Sequence, residues 1–216
     1  MNNPPIVFFR LSSLVIWMGL LFSACAIFLV PQTVSAKVIL KERVTYYNVK
    51  GSNGREIFTS MLRNGPTIGR RENHALATTE FKMNFKDIDG YLKNGKCVIT
   101  DVVIQLDVKY TYPRWKAPRG ASSTTRSAWK HFSKTVVWHE KQHVAIARKL
   151  AEDYEKIIRK TRFRAKRECT PNEVSLKFRF NGANFRNNRK QKQFDRRDSR
   201  KGARGYEAQL RLIKAE

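Results

Sequence analysis

The sequence predicts an α+β fold in which a small antiparallel sheet packs against one long helix. Residues 75–85 and 97–112 alternate apolar and polar side chains with a period of two, the pattern of strands that bury one face. Residues 124–167 then contain neither Gly nor Pro, and their apolar spacing becomes helical.

Residues 38–49 read as the first strand, with the β-formers Thr45-Tyr46-Tyr47 within it. After a turn from Gly51 to Gly54, Asn53 can cap a short helix reaching about Arg63. Ile57, Phe58, Met61 and Leu62 form its apolar face, and Asn64-Gly65-Pro66 stops it. In the second strand Ala75, Ala77, Thr79, Phe81, Met83 and Phe85 share one face. Residues 87–96, with Gly90 and Gly95, read as a loop. Residues 97–112 form the strongest strand, ended by Pro113 and paired antiparallel with the second. A straight helix over residues 124–167 would run roughly 60 Å, long for a domain whose radius of gyration is about 16 Å. A kink or break around Ser133–Thr135 is therefore expected.

The chain's ends differ from this middle. Arg10 precedes an uncharged run over residues 11–30, and Val34-Ser35-Ala36 follows. Residues 1–36 read as a secretory signal peptide cut after Ala36 or as an uncleaved anchor using residues 11–30, because the run also reaches the roughly 20 residues that span a bilayer. Either route leads to the periplasm or the exterior. Residues 37–173 then form one domain, and residues 174–216 a basic, partly disordered segment. Within it, residues 181–204 hold nine Lys or Arg against two Asp, and a short amphipathic helix is expected from Tyr206 to Ala215. Beyond residue 36 only Cys97 and Cys169 remain, and an oxidising compartment favours one disulfide between them over free thiols. The net charge of +25 predicts attraction to an anionic membrane or cell-wall surface, with no specific nucleic acid implied.

The chemistry centres on His139-Glu140-Lys141-Gln142-His143. Residues four apart on a helix share a face, so both imidazoles can reach one tetrahedral zinc ion. Glu140 beside them is placed to take a proton from a zinc-bound water, the arrangement of a metallopeptidase. His139 and His143 fall on a stripe with Phe132, Val136, Ile146, Leu150, Tyr154 and Ile157, and so should point inward. The expected architecture is zincin-like, with one Zn2+ per chain and a protein or peptide substrate laid along an edge strand, for which the strand ending at Tyr112 is a candidate. Tyr110, Tyr112, Tyr154 and His131 are candidate oxyanion donors.

Several segments resemble the DUF922 family of predicted secreted zinc-dependent proteases. They are Tyr46-Tyr47-Asn48-Val49-Lys50-Gly51, Met61-Leu62-Arg63-Asn64-Gly65-Pro66, Ala77-Thr78-Thr79, Cys97, Tyr112-Pro113-Arg114-Trp115 and Trp129 before the His-Glu helix. The resemblance implies a secreted zinc-binding hydrolase served by His139, Glu140 and His143. The family pattern also carries an aromatic-Asp pair followed by His-Gly; here Phe194-Asp195 matches the pair, and Lys201 precedes Gly202 where the histidine would fall.

The third zinc ligand stays open. Lys149 stands six residues past His143, where extended zinc proteases place a third histidine, and cannot serve. Glu152 and Asp153 have poor angles on the same helix. His74, Glu80, Asp101 and Asp195 qualify only if the fold brings them near. The rival reading is a non-catalytic basic envelope-binding protein with a structural metal site.

Overall fold

The computed structural model describes residues 37–68, 73–164, 169 and 173–216; the N-terminal segment read as signal peptide or anchor lies outside them. In chain order the elements are β1 (Lys37–Val49), α1 (Gly54–Asn64), β2 (Thr67–Ile68), β3 (Asn73–His74), β4 (Thr78–Lys93) and β5 (Lys96–Trp115). The long helix α2 (Ser123–Lys160), β6 (Phe163–Arg164), α3 (Glu173–Asp198) and α4 (Arg204–Ile213) follow. The architecture is α+β: a mixed sheet of order β1-β5-β4, with β6 on the start of β5, packed against α2.

The expected antiparallel pair is β4 with β5, whereas β1 joins the other side of β5 in parallel, so the sheet is mixed rather than wholly antiparallel. Residues 87–93 are not a loop. They continue β4 past two register shifts, between Phe85 and Asp87 and between Asp89 and Gly90, and the chain reverses only at Asn94-Gly95. Both turn residues have positive φ (51° and 69°), the backbone that Asn-Gly adopts in tight hairpins. Gly90 marks a close approach instead: a Cβ there would stand 2.7 Å from the Val98 carbonyl oxygen and 3.1 Å from Cys169 Sγ. Pro113 does not end β5, which runs on to Trp115. It lies beyond the last β4 partner, at Thr111, where only β1 remains beside it and a missing N–H is tolerated.

The helix α2 is unbroken over 38 residues. Its length of roughly 57 Å does not make it project, because β5 beneath it spans 20 residues, about 66 Å if fully extended. Three apolar clusters line the seam. Ala128 and Phe132 meet Trp115; Val144 and Ala147 meet Leu106, Val108, Tyr110 and Tyr112; Ala151 and Ile158 meet Cys97, Ile99 and Ile104. Ser122 starts the helix by accepting a hydrogen bond from the Thr125 N–H, satisfying one otherwise free donor.

The basic segment 174–216 is helical where a partly disordered tail was expected. Phe180, Ala183, Asn187, Phe194 and Asp198 are buried, all on one stripe with half-buried Gln191, and the stripe faces α2 and β4. Phe180 stacks on Tyr154 with ring centroids 3.9 Å apart. Ala208, Leu212 and Ala215 close the first cluster against α1; the Gly54 N–H donates to the Ala215 carbonyl at 2.7 Å, where a Cβ on Gly54 would collide with the Leu212 carbonyl. Cys97 and Cys169 form the expected disulfide.

Two stability outcomes follow. Leu212→Ala should cost about 2–5 kcal/mol in urea unfolding, as for any fully buried leucine, whereas a loose tail would give no change. Replacing both Cys97 and Cys169 by Ser should cost at most about 4 kcal/mol, the chain-entropy ceiling for so long a loop, measured by the same titration without reductant.

Candidate metal centre

The buried face of α2 follows the stripe expected from the sequence only in part. Phe132 and Leu150 are buried, and Val136, Tyr154 and Ile157 pack against the core, but Ala128, Thr135, Glu140, Val144, Ala147, Ala151 and even Glu155 are buried as well. His139 and His143 lie on the adjoining face, half-buried beneath α3. They remain one turn apart, and His139 Nε2 and His143 Nε2 stand 3.1 Å from each other.

Asp195 of α3 supplies the third group. Its Oδ1 is 3.0 Å from His143 Nε2 and 3.4 Å from His139 Nε2. Zinc bonds of 2.0–2.2 Å in a tetrahedron put ligand atoms about 3.3–3.5 Å apart, so the triangle matches a metal face to within a few tenths of an ångström. His139, His143 and Asp195 could thus hold a metal ion.

The outer ring nitrogens decide what the inner ones present. His139 Nδ1–H donates to Asp198 Oδ2 at 2.7 Å, and His143 Nδ1–H donates to Gln191 Oε1 at 2.6 Å. The Gln191 amide is oriented by its own Nε2–H, which donates to the His143 carbonyl at 3.1 Å. With Nδ1 carrying the proton, each neutral imidazole turns an Nε2 lone pair towards the Asp195 carboxylate. Outward bonds of this kind fix tautomer and ring orientation at metal sites. Asp198 is held in turn by the Gly205 N–H at 3.0 Å, and a Cβ on Gly205 would come within 2.2 Å of Asp198 Oδ2. Phe194 packs against both imidazoles, with centroids 4.7 and 5.2 Å away.

Charge follows this geometry. Burial alone would push the His139 imidazolium down, but hydrogen bonds to Asp195 and Asp198 outweigh it and its pKa is raised. For His143 burial acts likewise and is outweighed by Asp195 and Gln191. Burial would raise the Asp195 carboxyl, yet the bonds that His139 and His143 donate through Nε2–H when protonated hold it well below the usual carboxylate range.

Glu140 sits beside the triangle on the sheet side, 5 % exposed. Thr79, near the start of β4, donates its hydroxyl to Glu140 Oε2 at 2.6 Å. His139, Glu140 and Asp195 open onto one cavity of about 260 Å³ whose far wall includes Leu76, Phe132 and Thr135.

The other candidates are elsewhere. His74 Nδ1 bonds the Gly65 carbonyl at 2.6 Å, Glu80 pairs with Lys109, and Asp101 pairs with Arg159. Glu152 pairs with Lys149 and Asp153 with Arg186. None of Tyr110, Tyr112, Tyr154 and His131 lines the cavity; Tyr110 bonds Glu42 and Tyr154 bonds Asn184. The strand ending at Tyr112 is central, so the free edge next to Glu140 belongs to β4. Lys201 is exposed in the turn after α3. Sequence reasoning missed Asp198 and Gln191 altogether, although Asp195 and Asp198 are the two acids in the run over residues 181–204.

The chain matches the family described as "Bacterial protein of unknown function (DUF922)" over residues 44–202. The chain belongs to the DUF922 family. No curated protein and no solved structure matches it. The DUF922 match runs through Asp195 and Asp198 as well as the His-Glu helix, so the whole triangle and its supports lie within the family region. The family's description names no activity, and the chemistry of this DUF922 chain rests on its own side chains. Its disulfide suits an extracellular or periplasmic protein. Among the described residues no helix is long and apolar enough to cross a membrane.

The metal-free protein should show a defined pH optimum of stability. Raised histidine pKa values stabilise the fold below their unfolded value, near 6.5, and that support fades as pH rises through the folded values. The lowered Asp195 pKa adds support above about pH 4 that is lost as pH falls through its folded value. Metal-free Tm should therefore peak between about pH 4 and 6.5, and added zinc should stabilise more as pH rises towards 8, because it displaces protons. A flat metal-free profile from pH 5 to 8 would contradict this linkage. Asp198→Ala should weaken zinc binding about 10–100-fold, and Asp195→Ala by more, in competition titrations with a chromogenic chelator.

Proposed function

We propose that this protein is a secreted or envelope-anchored zinc-dependent metallopeptidase that hydrolyses peptide bonds. One observation carries the reading. Two Nε2 lone pairs and a carboxylate oxygen converge within 3.4 Å, and the cavity beside them also receives the Glu140 carboxylate. Three electron-rich atoms at such spacing repel one another unless protons or a cation lie between them. A structural zinc site closes with four protein ligands, whereas a catalytic one keeps three and an open position. Among the described residues the group has three members, and two of them, His139 and Asp195, line the cavity.

His139, His143 and Asp195 would hold a zinc ion, which when bound would supply a Lewis acid for the substrate carbonyl and for water. Glu140 accepts the proton of the attacking water and later delivers it to the leaving amine. Thr79 occupies Glu140 Oε2, which leaves Oε1 for that proton and fixes the carboxylate's direction. Asp198 and Gln191 keep both imidazoles in the tautomer that leaves Nε2 unprotonated. The edge of β4 near Thr79, Glu140's partner, is unpaired among the described residues and offers backbone groups to an extended peptide.

A second reading has its own support. Lys190, Arg196, Arg197 and Arg200 line one groove with Ile146 and Gln193, and no carboxylate shares it. This surface suits an anionic membrane, with the metal serving structure alone. Under that reading, Lys190→Glu with Arg197→Glu abolishes salt-sensitive binding to phosphatidylglycerol vesicles, and the intact protein hydrolyses nothing.

Under the peptidase reading, Glu140→Gln keeps one zinc per chain and lowers hydrolysis of a casein-derived peptide mixture by at least about 100-fold. Full activity in that variant removes Glu140 from the mechanism. A chelator should abolish hydrolysis while the circular dichroism of the folded chain persists; unfolding on chelation supports the structural role instead.

A further inference from the structure

The cavity beside the metal centre has features that the hydrolytic chemistry does not use. On α2 it extends from Glu140 back to Phe132, two turns or roughly 12 Å along the helix axis. Leu76 and Ala77, just before β4, and Ala208 of α4 complete an apolar wall. In a chain of net charge +25, no lysine or arginine among the described residues lines it. Of its three carboxylates, Glu140 is bonded by Thr79, while Asp195 and Asp198 are engaged by the histidines.

At about 260 Å³ the space lies below the roughly 300–1,000 Å³ of small-molecule sites. It has room for one side chain and its adjoining backbone.

We infer that this cavity is the pocket for the substrate side chain next to the scissile bond, and that it selects an uncharged, mainly apolar residue of leucine or methionine size. The inference rests on the peptidase reading and names its substrate class. A glutamate side chain would be repelled by Glu140 and Asp195, and an arginine would find its nearest carboxylates already engaged.

Hydroxamates test the pocket apart from the metal. Acetohydroxamate needs only the zinc ion, whereas N-acetyl-leucine hydroxamate and N-acetyl-glutamate hydroxamate add a side chain. With the zinc-loaded full chain, calorimetry should show the leucine compound binding at least tenfold tighter than acetohydroxamate, and the glutamate compound no tighter. Equal affinities for all three compounds overturn the pocket and leave the metal centre standing. If acetohydroxamate fails to bind zinc-loaded protein, the peptidase reading falls and the pocket with it.

Discussion

His139 Nε2, His143 Nε2 and Asp195 Oδ1 stand at mutual distances of 3.0–3.4 Å, with the histidine protons directed away from the shared point. Such an arrangement stores repulsion unless positive charge enters it, as protons below neutrality or as a metal ion above it. Much of the C-terminal half serves to hold it. Gln191 and Asp198 set the two rings, Phe194 covers them, and Gly205 lets the next helix start close enough to bond Asp198. The extreme basicity of α3 is thus a solvent-facing property of a helix whose inner stripe is apolar and hydrogen-bonded.

The sheet contributes a different constraint. β5 is long enough to support all of α2, and its inward residues from Val102 to Tyr112 are almost wholly buried. This lets an unbroken 38-residue helix present its centre to two partners at once. Glu140 turns towards β4 and the histidines towards α3, about 60–100° apart on the helix. The proposed proton acceptor and His139 therefore reach one cavity from adjoining faces, a division that depends on α2 being sandwiched.

Much of the fold was legible because its signals are local. The alternation in residues 97–112, the Asn53 cap and the absence of Gly and Pro after residue 124 act within one or two turns of chain. The hairpin at Asn94-Gly95 was also legible in principle, but bulges at Phe85/Asp87 and Asp89/Gly90 break the two-residue alternation that would have extended β4 to it. The α3 stripe was hidden for another reason. Phe180, Ala183, Asn187, Gln191, Phe194 and Asp198 follow helical spacing, yet half of them are polar, and hydropathy does not mark polar groups buried because they are bonded.

By itself the sequence determined the pairing of two cysteines, the run of strands before a long helix, and two histidines and a glutamate at a spacing that a helix turns into a metal-binding face. Those features depend on neighbours within a few residues, or on Cys97 and Cys169 being the two cysteines beyond residue 36. Only the tertiary structure decided that Asp195 is the third member, that Asp198 and Gln191 orient the rings, and that β1 runs parallel to β5. Each of these joins residues 48 to 66 positions apart, and contacts at that range are set by how α3 and β1 pack, which no local periodicity encodes.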